Sequence, residues 1–423
     1  MHHYIIMKML KLEDRHLHVM NVRYDGSHVN LDIQYTQGHH TCPCCGQRTS
    51  KVHDYRVRTI KHGDIQGYHV ILHYRRRRYV CKHCLKRFPE PNTFVTPHAQ
   101  ISNMTKRRII HQFQRITNYK MIAGDLNVSS STVIRQLDAM TRVKRLTLPE
   151  VISFDEFKKR NQGYGKYAFI MIDPINKKII DIMRNRRSDW LNNYFGKIPR
   201  SERNRVKKVI IDLWSPYRTI IRSYFPKAEI IADTFHFTRY IHWAFNDVRI
   251  RVMNSFDKKE APYKVLKKHW KILCKSPLKL KDDYRWNALL GDFANERMIQ
   301  DYAANVHPDL EEATRFKDTF LEALHVVSEQ DAEIFIESFI RALETARNEE
   351  FREIRKTFIN WKYEIIHAFQ RDPKTGKKYT NGMIEGTNNF VKTLNRIGFG
   401  YRNFERFRKR IMALFNGDFV LIG

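Results

Sequence analysis

The chain has 423 residues, 42% of them hydrophobic and 12% aromatic, enough apolar material for two or three domains with at least one large core. That excludes a disordered chain, and no apolar run approaches the ~18 residues that a membrane span requires. Lysine and arginine number 76 against 45 aspartates and glutamates, a net charge of +31. Such an excess is an argument about partners: it favours a polyanion, because each neutralised phosphate releases condensed counterions. The basic residues run through the whole chain, as an extended binding track needs. Met1 to Leu12 lacks the continuous apolar stretch and cleavage site of a secretion signal, so the expectation is a cytoplasmic protein.

Residues 15–38 alternate as strands do, with Asp25-Gly26 as a hairpin turn. Two further strand-like runs follow, Tyr55 to Ile60 and Tyr68 to Tyr74. They lie between Cys42-Pro-Cys-Cys45-Gly46 and Cys81-Lys-His-Cys84. Two matched Cys-x-x-Cys pairs in a chain without a secretion signal point to metal rather than disulfides, so Cys42, Cys45, Cys81 and Cys84 are expected to hold one structural Zn²⁺ in a ribbon. Cys44, His40 and His83 read as bystanders, and Cys274 as a small core residue. Arg75, Arg76, Arg77 and Arg78, just before the second pair, suit phosphate contacts. Phe88-Pro89-Glu90-Pro91 reads as a linker.

From Met104 the pattern turns helical. Met104 to Ile116 and Met121 to Leu126 are followed by a turn at Asn127-Val128 and by a third helix that Ser129 to Ser131 can cap. Ala123 is small where two helices would cross, and Val133 and Leu137 face inward. This is the cadence of a helix-turn-helix, whose outer face would offer Ser130, Thr132, Arg135 and Gln136 to the major groove of DNA.

From Val151 the order is strand, strand, strand, helix, strand, helix, strand, which makes an α/β layer. Val151 to Phe154 is one short strand, Tyr167 to Ile172 and Lys178 to Met183 a hairpin, and Val206 to Ile211 and Ala228 to Ala232 buried strands. Beyond Phe237 the chain is helical to about Gln370. After a polar break come two more helices, Gly382 to Asn395 and Asn403 to Phe415. Trp243, Trp270 and Trp286 of the long helical stretch read first as packing residues, and only second as contacts to DNA or to another subunit.

Three acids stand where phosphodiester chemistry would want them. Asp155 closes Val-Ile-Ser-Phe, Asp212 closes Val-Ile-Ile, and Glu385 opens a stripe with Asn388, Asn389 and Lys392 on one helical face. An acid that ends an apolar strand needs a partner or a metal. Two Mg²⁺ ions held by hard carboxylates can activate water and stabilise a leaving oxygen. The strand order is that of a ribonuclease-H-like fold. Asp233, with His236 behind it, also ends a strand and competes with Asp212; strand order favours Asp212, leaving Asp233 and His236 near the site. Asp173 and Asp181 read as solvated, and Glu156 as pointing away from Asp155.

At these residues the sequence resembles the ISL-three family of insertion-sequence transposases over nearly its whole length. The resemblance rests on the Cys-Pro-x-Cys-Gly to Arg-Arg-Tyr-Val-Cys-x-x-Cys ribbon, Phe154-Asp155-Glu156, Ile211-Asp212 and Asp233-x-Phe235-His236. Its most specific block runs from Glu385-Gly-x-Asn388 through Lys392 and Arg396 to Gly400-Tyr-Arg-Asn403-Phe. It implies a DDE triad of Asp155, Asp212 and Glu385, dependence on Mg²⁺ or Mn²⁺, recognition of terminal inverted repeats, and an all-α insertion before the Glu-bearing helix. Lys392, Arg396 and Arg402 would then hold phosphates.

The expected organisation is multidomain α/β: a zinc ribbon over 1–95, a helix-turn-helix over 96–148, a ribonuclease-H-like core over 149–240 and 376–423, and an all-α insertion over 241–375. The expected partners are double-stranded DNA, as transposon ends and target, and a second copy in a dimer, with no membrane. A DNA-binding regulator that uses only the first 148 residues, or a nuclease that cuts without joining, are the rival readings.

Overall fold

The computed structural model describes residues 2–12, 14–142, 147–159, 165–416 and 419–421. Its contacts divide into two units, one chiefly of residues 1–145 with 389–423 and the other chiefly of 146–159 with 164–388. No helix among the described residues is long and apolar enough to cross a membrane.

In the first unit, β1 (Leu17–Asp25) and β2 (His28–Tyr35) form the hairpin that Asp25-Gly26 predicts, with Asp25 opposite His28 and Gly26 at φ +53°. β3 (Val52–Ile65) and β4 (Tyr68–Val80) run well beyond the alternating stretches that announced them. The sheet order is β1-β2-β4-β3, with β5 (Arg87–Pro89) paired to β4. Leu31, Ile33, Ile60, Leu72 and Tyr74 fill one core beneath it.

The segment read as a linker is instead paired to this sheet, with Phe88 and Glu90 buried. Glu90 is fully buried and accepts hydrogen bonds from Tyr74 Oη and Arg77 Nη1, both at 3.0 Å. A carboxylate can sit inside only with such partners, and the ion pair ties residues 87–91 to β4.

Three helices follow: α1 (Asn103–Gln112), α2 (Tyr119–Asp125) and α3 (Ser130–Ala139). Ser102, Asn118 and Ser129 cap them, each accepting a backbone N–H three residues on. Asn127 takes φ +47° in the turn before α3, and its side-chain amide meets His28 Nε2 at 3.1 Å. Ile109, Phe113, Ile122, Val133 and Leu137 form the core.

The C-terminal helix Phe404–Asn416 joins this same core through Ala413. From Asn389 onward the contacts run with the first unit. The connection after α1 leaves the carbonyls of Phe113, Arg115 and Thr117 without amide donors, and the fully buried Arg410 supplies all three from its guanidinium. Arg406 adds an ion pair to Asp138 on α3 at 2.7 Å.

The second unit is built on β6 (Val151–Lys158), β7 (Tyr167–Asp173), β8 (Lys178–Met183), β9 (Lys208–Ile211) and β10 (Glu229–Ala232), in the order β8-β7-β6-β9-β10. β7 is antiparallel to β6 and to β8, whereas β9 is parallel to β6 and to β10. Helices α4 (Ser188–Gly196) and α5 (Ser215–Tyr224) cover the sheet, and Phe154, Phe169, Phe195 and Tyr217 interlock beneath them.

Asp173 and Asp181, expected in solvent, are both buried. Asp173 caps the turn by accepting the amides of Ile175 and Asn176, and Asp181 accepts from Tyr194 Oη at 2.8 Å. Each is tolerated because its oxygens are satisfied.

α6 (Thr234–Met253) leads into the expected helical stretch, whose main members are α7 (Glu296–Asn305), α8 (Pro308–Val326), α9 (Ala332–Glu344), α10 (Glu349–Asn360) and α11 (Lys362–His367). A small hairpin, Arg285–Asn287 with Asp292–Ala294, interrupts it. Phenylalanines 237, 245, 320, 339 and 358 supply the packing. The tryptophans do not: Trp243, Trp270 and Trp286 are 50%, 45% and 60% exposed. α12 (Gly382–Ile397) follows the polar break.

Candidate active site and zinc cluster

The cysteine cluster lies in the first unit. The Sγ atoms of Cys42, Cys45, Cys81 and Cys84 all fall within 4.8 Å of one another, with Cys42 to Cys84 at 3.6 Å and Cys45 to Cys81 at 3.5 Å. A tetrahedral zinc with bonds of ~2.3 Å spaces its thiolates by roughly 3.8 Å, so the four fit a structural zinc ion. Each pair sits on a turn of the same kind. Gly46 N donates to Cys42 O at 3.0 Å and Leu85 N to Cys81 O at 3.1 Å. Gly46 and Leu85 both take positive φ, +72° and +60°. Cys44 and His83 are exposed and stay outside the cluster, and the His40 ring packs at a tilt against Tyr79, 4.5 Å between centroids.

The arginine run divides by what each guanidinium meets, not by strand face: Arg75 and Arg77 share the face that carries Tyr55, and Arg76 and Arg78 the other. Arg75 is exposed and lies over the Tyr55 ring at 4.2 Å. Arg76 donates to Glu90 O at 3.0 Å, Arg77 is buried on the Glu90 carboxylate, and Arg78 is bidentate on Asp54. Three of the four guanidiniums are thus engaged inside the protein, and Arg75 is the one whose group is left to solvent. On α3, Arg135 is exposed while Ser130, Thr132 and Gln136 are half-buried.

The acids gather in the second unit. β6 does not stop at Phe154, as the apolar run suggested. It continues to Lys158, so Asp155 sits mid-strand opposite Ile170 of β7. In the parallel part of the sheet, Ile210 pairs with Ser153, and Ile211 with Ala232. One or two residues further on, this register brings Asp155, Asp212 and Asp233 level across three neighbouring strands.

Burial acts on all three, and repulsion by neighbouring carboxylates on Asp155 and Asp212. Desolvation first, then the charges of Glu156 and Asp233, push Asp155 up to about 6. Desolvation, Glu156 and Asp155 push Asp212 up to about 7. Asp233 rises to about 6 through burial, which backbone donors from Asn381, Phe235 and Thr234 partly offset. Three carboxylates in one low-dielectric place favour a cation among them.

Asp212 and Asp233 differ in what satisfies them. Asp212 Oδ1 is buried without a hydrogen-bond partner among the described residues. Asp233 heads α6 and accepts the backbone N–H of Asn381 at 3.3 Å, with His236 Nε2 3.8 Å away. Burial, then Arg239, lowers His236 to about 4, so it is neutral at physiological pH.

The residues around these acids come from far along the chain. Asn388 Nδ2 donates to Asp155 Oδ2 at 3.2 Å, and Asn381 bonds Ser153 Oγ and reaches Phe154 O at 3.4 Å. Glu156 was read as pointing away. It pairs with Arg186, whose guanidinium lies 4.5 Å over Trp214, and its charge still reaches both Asp155 and Asp212. Arg186 escaped the sequence reading because nothing in Arg184-Asn-Arg-Arg187 marks which arginine turns inward. Glu385 lies on α12, but its side chain falls outside the described residues. Lys392, Arg396 and Arg402 are exposed.

These features agree with what the chain resembles. A model of DDE transposases of the ISL3 type, described as a transposase, matches residues 152–411, more than half the chain. A second, described as the zinc finger of the transposases of IS204, IS1001, IS1096 and IS1165, matches residues 39–84, which hold all four cysteines. The transposase for insertion sequence element IS1001 of Bordetella parapertussis is 26% identical over 386 residues, 89% of each chain. The chain belongs to the ISL3-type family of DDE transposases.

Proposed function

We propose that Asp155, Asp212 and Glu385 are the metal-holding triad with which this transposase nicks DNA at insertion-sequence ends and joins the freed 3′ end to target DNA. The observation that carries the reading is Asp212 Oδ1, a buried anionic oxygen with no partner among the described residues, beside a second half-buried aspartate. Hard oxygens in this state suit Mg²⁺ or Mn²⁺. Bound there, such ions would supply an activated water and the charge that stabilises the leaving 3′ oxygen.

The chain's own groups then have separate tasks. Asn388 orients Asp155, Arg186 neutralises Glu156, and Asp233 ties the start of α6 to Asn381. The sheet order β8-β7-β6-β9-β10, with three antiparallel strands followed by two parallel additions, supports a ribonuclease-H-like core. Strand ends in such a core are rigid, which is what a ligand set needs. Neutral His236 stands near the site as a hydrogen-bonding rather than a charged group.

DNA binding falls to the first unit in this reading. Helices α2 and α3 form a helix-turn-helix, with Arg135, Thr132, Ser130 and Gln136 on the groove-facing side and Arg75 on the backbone. The zinc cluster holds the sheet that carries Arg75. Joining two ends requires two end-binding surfaces, for which a homodimer is the simplest assembly.

The test is cleavage of DNA that carries the element's own ends, with Mg²⁺. Wild type should give nicked and joined products, and Asp155→Ala and Asp212→Ala should each reduce both by at least ~10³-fold. Equal products from wild type and Asp155→Ala would overturn the triad. Nicked DNA without joined product would favour a nuclease.

A further inference from the structure

A second basic site lies in the second unit, beside the aspartates but built from other residues. It is a cavity of about 710 Å³ between the start of α6, the segment Cys274–Lys279 and the polar break at residues 371–380. No carboxylate lines it among the described residues, whereas Lys279, Arg371, Lys377 and Lys378 do. Lys279 and Lys377 are exposed and make no ion pair among those residues.

Its interior is polar and unsatisfied. Ser276 is 7% exposed and its Oγ makes no hydrogen bond among the described residues; nor do His242 Nδ1, Thr234 Oγ1 and Lys378 Nζ, the last lying 4.5 Å over the Phe369 ring. Buried polar groups normally make hydrogen bonds, so four without one around a single cavity point to a ligand. Leu321 and Leu324 give it an apolar wall. Thr234, Thr238 and His242, spaced by four, present one face of α6 to it.

The neighbouring stripe of α6 carries another signal. Phe235 is 65% and Trp243 50% exposed, and Arg239 lies between them, 6.0 Å from one ring and 4.6 Å from the other. Aromatic and guanidinium faces in a row are a stacking platform for unpaired bases.

We propose that this cavity takes one unpaired nucleotide of the DNA strand next to the cleavage site, its phosphate on Lys279, Lys377 and Ser276 and its base against Leu321 and Leu324, while neighbouring bases stack along Phe235, Arg239 and Trp243. The size fits: small-molecule sites span ~300–1,000 Å³, and a duplex cannot enter one. A base reaches such a place only by leaving its stack, which costs a few kcal/mol and is easiest at strand ends and distorted steps. The position fits as well. Thr234 follows Asp233, and Thr380 precedes Asn381, so the rim of the cavity adjoins the residues that frame the aspartates. Burial, then Arg371, lowers Lys378 to about 8, as expected of an ammonium group awaiting an anion.

The inference rests on DNA as the substrate but not on the triad, and its test needs no catalysis. Full-length protein without added divalent ion is titrated into a fluorescein-labelled ten-residue oligothymidylate, read by anisotropy. Lys279→Glu with Lys377→Glu should weaken binding at least tenfold, and Phe235→Ala with Trp243→Ala at least threefold, with melting temperatures unchanged. Lys258→Glu with Lys259→Glu, the same charge change at exposed positions in this unit, should cost less than threefold. Equal losses from the two charge reversals would overturn the site. So would inorganic phosphate displacing the oligonucleotide as well as thymidine monophosphate does, since the cavity would then be an anion well only. Asp155→Ala should bind the oligonucleotide like wild type, so failure of the triad would appear in cleavage and not here.

Discussion

Asn388 Nδ2 donates to Asp155 Oδ2 at 3.2 Å, joining two residues that stand 233 apart in sequence. Asn388 is on α12 one turn after position 385, so this bond ties the helix that carries Glu385 to the strand that carries Asp155. A metal site loosened by even 1 Å loses much of its activity. Asn388→Ala should therefore slow nicking about tenfold and raise the Mg²⁺ concentration needed for half-maximal rate. Asn388→Asp, which adds one more negative charge to the cluster, should not rescue. A Mg²⁺ titration of nicking rate checks this, and curves that superimpose on wild type would contradict it.

Without metal the aspartates are a liability to the fold. Burial, Glu156 and Asp155 hold Asp212 at about 7 in the folded chain, against ~3.9 when unfolded. A raised carboxyl pKa means the folded state binds the extra proton, so the stability present at low pH is lost as pH rises from about 4 through about 7. Asp212→Asn removes that loss. In metal-free buffer at pH 8 it should melt at least ~2–4 °C above wild type, with the gap closing toward pH 4. Added Mg²⁺ should raise wild type and leave the variant where it was. Thermal melts over pH, with and without Mg²⁺, decide it.

The zinc cluster predicts a selective effect. Cys81→Ser removes one of four Sγ atoms that lie within 4.8 Å of one another, whereas Cys44→Ser alters an exposed thiol outside the group. Cys81→Ser should lose the one bound zinc per chain and the first unit's cooperative melt, because a structural zinc contributes its binding energy to folding. Cys44→Ser should retain both. Elemental analysis and calorimetry measure them.

The sequence told most where chemistry leaves few options. Paired cysteines at fixed spacing and apolar runs ended by aspartate were legible, since an acid at the end of a buried strand needs an explanation. Asp212 and Asp233 each close a strand with similar residues, so strand order alone favours Asp212 in the sequence; the backbone amide that reaches Asp233 comes from Asn381, 148 residues away. Glu90 looked like part of a linker because flanking prolines mark turns, and its partner Arg77 was hidden in a run of four. Likewise, nothing in Arg406-Phe-Arg-Lys-Arg410 says that one guanidinium will be sealed inside. Long-range pairing decides such residues, and local pattern cannot.

Arg410 offers a test of that pairing. Its guanidinium is fully buried and donates to the carbonyls of Phe113, Arg115 and Thr117. Arg410→Met keeps the volume but leaves three acceptors unmet, at about 1–3 kcal/mol each if none is hydrated. The first unit should then melt early. Arg410→Lys should recover little, because an ammonium lacks the planar fork that reaches three acceptors at once. Equal melting of Arg410→Lys and wild type would show that charge alone suffices.

The arginine run gives the sharpest contrast, since neighbours on one strand should fail in different ways. Arg77 pairs with the buried Glu90 at 3.0 Å, so Arg77→Ala leaves a buried carboxylate unpaired. That should destabilise the first unit by about 3–5 kcal/mol. If the carboxylate is the cause, Arg77→Met with Glu90→Leu should recover most of the loss. Arg75 is exposed over the Tyr55 ring, so Arg75→Ala should leave melting within ~0.5 kcal/mol of wild type. Its effect should appear in DNA binding instead, as a shallower dependence of affinity on salt, by about 0.9 in the slope of log K against log salt. Melting curves and a salt series on the same two variants separate the roles. An unchanged salt slope for Arg75→Ala would remove Arg75 from the DNA surface and leave the whole run structural.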